Sequence, residues 1–95
     1  MNIHDLRSKY RDKILEAAQI CKVEEIKVFG SILRDDFTEK SDIDFLVKMK
    51  PNSGFAIGGL QWRLEEILGK RVDIVSEKSL HHLIKDQILN EAKNL

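Results

Sequence analysis

Apolar residues change their spacing along this chain, and each change predicts a new element. Ile3, Leu6, Tyr10, Ile14, Ala17, Ala18 and Cys21 recur at helical spacing, with Asn2 placed to cap the start. A first helix is therefore expected over about residues 3–20. Lys27-Val28-Phe29 reads as a short buried strand ending at Gly30-Ser31, and Ser31 to Arg34 has room for about one helical turn. A polar loop, Asp35–Ser41, leads into Asp42–Lys48, whose alternation and β-forming residues predict a strand. Pro51-Asn52-Ser53-Gly54 breaks it. Ile57, Leu60, Leu64 and Ile67 then share one face of a helix over Phe55–Leu68, with Gly69 as its stop. Arg71–Val75 is a third short strand. Ser79 is the expected cap of a last helix that packs through Leu80, Ile84, Ile88 and Ala92.

The order is α-β-(short α)-β-α-β-α, with no repeat or linker, which predicts an α/β (α+β) unit spanning 1–95 in which the helices cover one sheet. Ninety-five residues suit one domain with a modest core. The 42% hydrophobic and 34% charged shares suit a folded chain. Sixteen basic and sixteen acidic side chains balance to +0, which argues against a domain that works by gripping nucleic-acid phosphates. One cysteine, Cys21, forms no intrachain disulfide and falls on the apolar helix pattern, so a reducing cytoplasm is the expected setting. The first residues show no apolar signal core, and no run reaches the roughly 20 apolar residues of a membrane helix.

Charge is unevenly placed, and this changes the picture. Between Arg34 and Asp44 lie Asp35, Asp36, Glu39, Asp42 and Asp44 against Arg34 and Lys40. Residues two apart on a strand point the same way, so Asp42 and Asp44 share a face, about 6.7 Å apart, while Ile43 and Phe45 take the core side. At an effective dielectric near 20 the two anions repel by roughly 2.5 kcal/mol. A domain of this size has only about 5–14 kcal/mol of total stability, so a counter-charge is expected. An all-oxygen site suits Mg2+. Asp73 interrupts the apolar Val72-Asp73-Ile74 run, and if its strand pairs beside Asp42–Lys48 three carboxylates converge, enough for a two-metal phosphoryl-transfer site.

Gly30-Ser31 lies where a strand gives way to a helical turn. Backbone N–H groups there, with the Ser31 hydroxyl, suit a phosphate, and Arg34 three residues on returns to the same side. Singly, each feature is ordinary: a turn, a solvated strand edge, a surface arginine. Together, with Asp42 and Asp44 eleven and thirteen residues past Ser31, they form a specific constellation. His81 and His82 point about 100° apart and make a poor chelating pair. Trp62 is expected at the sheet edge or at a partner interface.

Gly30-Ser31, Arg34, Ser41-Asp42-Ile43-Asp44-Phe45-Leu46 and Val72-Asp73-Ile74-Val75 resemble the motifs of the minimal nucleotidyltransferases (MNT) of the DNA polymerase β superfamily. The likeness extends to the closing helix with Ile88 and Glu91-Ala92. It implies a minimal polymerase-β-like fold, a small mixed sheet flanked by helices. It implies two Mg2+ ions held by Asp42, Asp44 and Asp73, with Gly30, Ser31 and Arg34 on the phosphates of ATP. It also implies AMP transfer to a hydroxyl, such as a tyrosine, of a HEPN ribonuclease toxin, with the chain acting as its antitoxin in a hetero-oligomer in the cytoplasm. The acceptor is then expected from outside, because the chain has no second domain. A non-catalytic antitoxin that occludes its HEPN partner is the alternative, and a small-molecule nucleotidyltransferase a lesser one. Leu33 and Asp35 flank Arg34 where many relatives carry a small residue and a glycine, so Leu33 is expected to narrow the phosphate pocket and Asp35 to add an anion beside it.

Overall fold

The computed structural model describes residues 1–95. The first helix runs as α1 (Ile3–Asp5), a wider π turn (Leu6–Tyr10) and α2 (Arg11–Ile20). Asn2 caps it as expected, accepting from the Asp5 N–H while the Asp5 carboxylate accepts from the Asn2 N–H. Leu6, Tyr10 and Ile14 are spaced four and four, which drifts around an ideal 3.6-residue helix. The π turn absorbs that drift and keeps all three on the core side.

β1 (Val23–Phe29) begins four residues earlier than its apolar end alone suggests. Val23 and Ile26 are both buried although three apart, because a bulge between Val23 and Glu25 shifts the alternation by one residue. A 3₁₀ turn (Gly30–Leu33) follows, then β2 (Ile43–Met49). A second 3₁₀ turn (Gly54–Ala56) precedes α3 (Ile57–Leu68), which ends on Gly69 in the left-handed conformation at φ 63°. Its N–H donates to the Glu65 carbonyl at 2.8 Å, the stop foreseen for a glycine there.

β3 (Val72–Ser76), a short 3₁₀ turn (Glu77–Ser79), α4 (His82–Glu91) and β4 (Lys93–Asn94) complete the chain. The sheet order is β3-β2-β1-β4, with β2 and β3 parallel and the other pairs antiparallel. The fold is thus a mixed α/β sheet flanked by helices, as the sequence pattern predicts. Ile43, Phe45 and Val47 pack with Leu60, Leu64, Ile14 and Val28 in one core. No helix is long and apolar enough to cross a membrane.

The last helix departs from expectation in three ways. Its cap is His81, whose Nδ1 accepts from the Leu83 N–H at 3.2 Å, not Ser79, which lies in the preceding turn. The His81 and His82 rings stack with centroids 4.5 Å apart. Its apolar face packs only in part: Leu80, Ile88 and Ala92 are half-buried, none completely, while Ile84 is 46% exposed and Leu83, off that face, 76%. Finally, β4 pairs with β1 through Lys27 and Val28, although Lys93-Asn94 carries no strand pattern. The tail is held there by Arg7, whose guanidinium donates to the Asn94 carbonyl at 2.6 Å, and by Arg11, which donates to the Leu95 carbonyl.

Phe45, fully buried on the central strand pair, is the residue on which the core turns. Phe45→Ala is expected to cost about 3–5 kcal/mol in urea unfolding, a large part of the total stability of such a domain.

Candidate active site

β2 alternates its side chains, so Ile43, Phe45 and Val47 enter the core and Asp44 points to the other side of the sheet. The parallel register sets Asp44 beside Asp73 on β3, a strand spacing of about 4.8 Å away. Asp42 stands one residue before β2, exposed, on a polar cleft with Lys40, Lys70 and Arg71. The structure therefore brings Asp44 and Asp73 together, with Asp42 at the rim.

Their proximity registers in the acidity of Asp44. Its carboxyl is pushed up from 3.8 to about 6, first by burial and then by the negative charges of Asp73 and Asp42. Arg34 opposes the shift, and Glu91 adds to it. No three His, Cys, Asp or Glu side chains are gathered closely enough to form a ready-made metal cage. The oxygen donors nevertheless fit magnesium, which keeps several waters and takes further ligands from substrate phosphates rather than needing an all-protein cage.

β3 is held in this register from above. The Glu65 carboxylate accepts the Val72 N–H at 3.0 Å, and the Gln61 amide donates to the Val72 carbonyl at 3.1 Å. These two α3 side chains, one turn apart, anchor the residue next to Asp73. Sequence reasoning missed both; the only signal was a Gln and a Glu spaced four apart on α3.

Phe29, the last residue of β1, pairs with Asp44, and Gly30 follows it against the Asp44 carboxylate. Gly30 adopts φ 79°, and a Cβ there would collide with the Asp44 carboxylate. The glycine is thus required twice, by its backbone angle and by the carboxylate packed against it. Ser31 is the second residue of the 3₁₀ turn, which carries no side-chain cap.

Arg34 lies beyond that turn, its Nε 3.5 Å from Asp36 and its Nη1 3.0 Å from Glu91. Asp36, not Asp35, is the neighbouring acid that engages the arginine. Leu33, the residue before the arginine, packs against the core. Glu91 is the main residue that sequence reasoning left without a role, since it reaches this loop from across the fold. Its Oε1 also accepts the Gly30 N–H at 3.2 Å.

The chain matches the family described as Nucleotidyltransferase domain over residues 7–95. It belongs to that family. A Methanocaldococcus jannaschii protein named, by inference, a protein adenylyltransferase is 40% identical over 93 residues, 97% of this chain and 96% of the relative. A solved minimal nucleotidyltransferase superposes with a TM-score of 0.86 at 35% identity, covering 100% of this chain and 97% of that one. A solved complex of tri-AMPylated Shewanella oneidensis HEPN toxin with MNT antitoxin contains a chain matched with a TM-score of 0.63 at 26% identity, covering 87% of this chain and 66% of that one. This nucleotidyltransferase therefore carries Gly30-Ser31 and its aspartates on the minimal fold of the family.

Two outcomes follow from the geometry. In chelator-treated buffer the folded chain holds the Asp44 proton up to about pH 6, whereas the unfolded chain releases it near 3.8. Between these values the folded state binds more protons, so this group's contribution favours folding at low pH and declines as pH rises through 6. Asp44→Asn should then melt higher than the parent nucleotidyltransferase at pH 7.5, the difference closing near pH 4, as followed by differential scanning fluorimetry. Gly30→Ala should destabilise the fold by at least about 1 kcal/mol, the cost of a left-handed alanine, and should shift the Asp44 carboxylate. Urea titration and an Asp44 carboxyl resonance measure the two effects.

Proposed function

We propose that the chain, acting as one domain over 1–95 in the cytoplasm, is a magnesium-dependent protein adenylyltransferase. It moves AMP from ATP to a hydroxyl, a tyrosine, on a HEPN ribonuclease toxin and thereby serves as the antitoxin. The observation that carries this reading is the Asp44–Asp73 register pair facing Gly30, in a chain that belongs to the nucleotidyltransferase family. The HEPN partner and AMP as the transferred group are supported by likeness to the MNT chain of the AMPylated toxin complex.

In this reading Asp42, Asp44 and Asp73 hold two Mg2+ ions, and Gly30, Ser31 and Arg34 hold the phosphates of ATP. When bound, magnesium neutralises phosphate charge and relieves the repulsion among the aspartates. Asp73, exposed at the open edge of the pair, orients the incoming hydroxyl and accepts its proton. The hydroxyl oxygen forms a bond to the α-phosphorus while the bond from that phosphorus to the bridging oxygen of pyrophosphate breaks. Gly30, Ser31 and Arg34 retain pyrophosphate as its charge develops. The partner docks on apolar side chains that this chain leaves exposed, with Leu83 and Ile84 on α4 and Phe55 and Trp62 at α3 as the candidates.

The test is intact-mass spectrometry of a HEPN-type protein that forms a complex with this chain, after incubation with Mg2+ and ATP. One or more AMP additions are expected, lost with Asp44→Asn and with Asp73→Asn. A stable complex that gains no AMP would instead establish a non-catalytic antitoxin that occludes its partner.

A further inference from the structure

Glu91 is bound to the very donors assigned above to phosphate. One carboxylate oxygen, Oε1, accepts from the Gly30 N–H at 3.2 Å and from Arg34 Nη1 at 3.0 Å. It arrives from the last turn of α4, sixty-one residues along the chain from Gly30. A backbone N–H donates one strong hydrogen bond, so Gly30 cannot serve Glu91 and a phosphate oxygen together. Arg34 is likewise already engaged, by Glu91 on one nitrogen and by Asp36 on another.

We propose that Glu91 is the resident anion of the nucleotide site and sets its affinity, giving up Gly30 and Arg34 to a phosphate when a nucleoside triphosphate binds. The proposal rests on the reading of Gly30 and Arg34 as phosphate donors. Until that exchange, the carboxylate satisfies a backbone N–H and an arginine beside the aspartates. The exchange also has a mechanical consequence. α4 buries none of its residues completely, so Glu91 is one of few polar ties between the C-terminal segment and the rest of the fold. The others are the short β4 pairing and the contacts of Arg7 and Arg11 with the tail. Releasing Glu91 loosens α4, the helix that displays Leu83 and Ile84.

The experiment measures binding of AMP-PNP with Mg2+ by calorimetry to the full chain and to Glu91→Gln. The variant keeps the size of the side chain and removes its charge. Because Arg34 is more than half exposed, solvent screens its pair with Glu91, and the expected gain is about two- to fivefold in affinity. In the unmodified chain, hydrogen exchange across residues 88–95 should quicken on saturation with AMP-PNP, a readout that does not depend on the variant folding. Equal or weaker binding by a folded Glu91→Gln, or unchanged or slower exchange at 88–95, overturns the role of Glu91 while leaving the nucleotide site intact. Absence of binding by both proteins overturns the nucleotide site itself and this proposal with it.

Discussion

Two carboxylates on adjacent parallel strands are a liability in a small protein, and the surroundings of the pair are arranged around it. The β2–β3 register places Asp44 beside Asp73, and both burial and repulsion drive the Asp44 carboxyl toward its neutral form. The register is kept by apolar partners on the opposite face, where Ile43 meets Val72 and Phe45 meets Ile74, and by Gln61 and Glu65 gripping Val72. A one-residue slip of either strand would send an aspartate into the core, so the hydrophobic pattern that folds the sheet also enforces the charged pair.

Gly30 extends the same constraint to β1. Its missing Cβ leaves room for the Asp44 carboxylate, and its positive φ turns the chain away from the strand. The residues that follow do unequal work. Ile32 is buried and Leu33 packs against the core, fastening the turn, while Arg34 emerges into solvent between two acids. Packed and solvent-facing side chains are thus separated within a few residues, from the 3₁₀ turn to the arginine that follows it.

The C-terminal segment is held by polar ties as well as by half-buried apolar side chains, with Leu95 packed against the core. β4 is two residues long, and its position depends on guanidinium contacts from the first helical stretch. Leu46, buried on the Asp44 side of β2, shares a small cavity with Leu89 of α4, which shows that this helix lies across that side of the sheet. The arrangement brings Glu91 to the Gly30 loop while leaving Leu83 and Ile84 in solvent.

Local pattern alone determined a good deal. The first helix, α3 with its glycine stop, β2, β3 and the facing of Asp44 away from the core all follow from spacing of apolar residues, because helical and extended chains sort side chains by fixed periods. The pairing of Asp44 with Asp73 was foreseeable only as a condition: if the strands are neighbours, the acids meet. What local pattern could not supply lies where the period is broken or the partner is distant. The bulge in β1 hides its first half, the π turn resets the first helix, and the strand at Lys93-Asn94 exists only because an edge of β1 and two arginines receive it. Glu91 belongs to this group. A carboxylate near the end of the chain reads as a solvated charge, and only tertiary structure places it on Gly30 and Arg34, because hydrogen bonds between residues some sixty positions apart leave no periodic trace in the sequence.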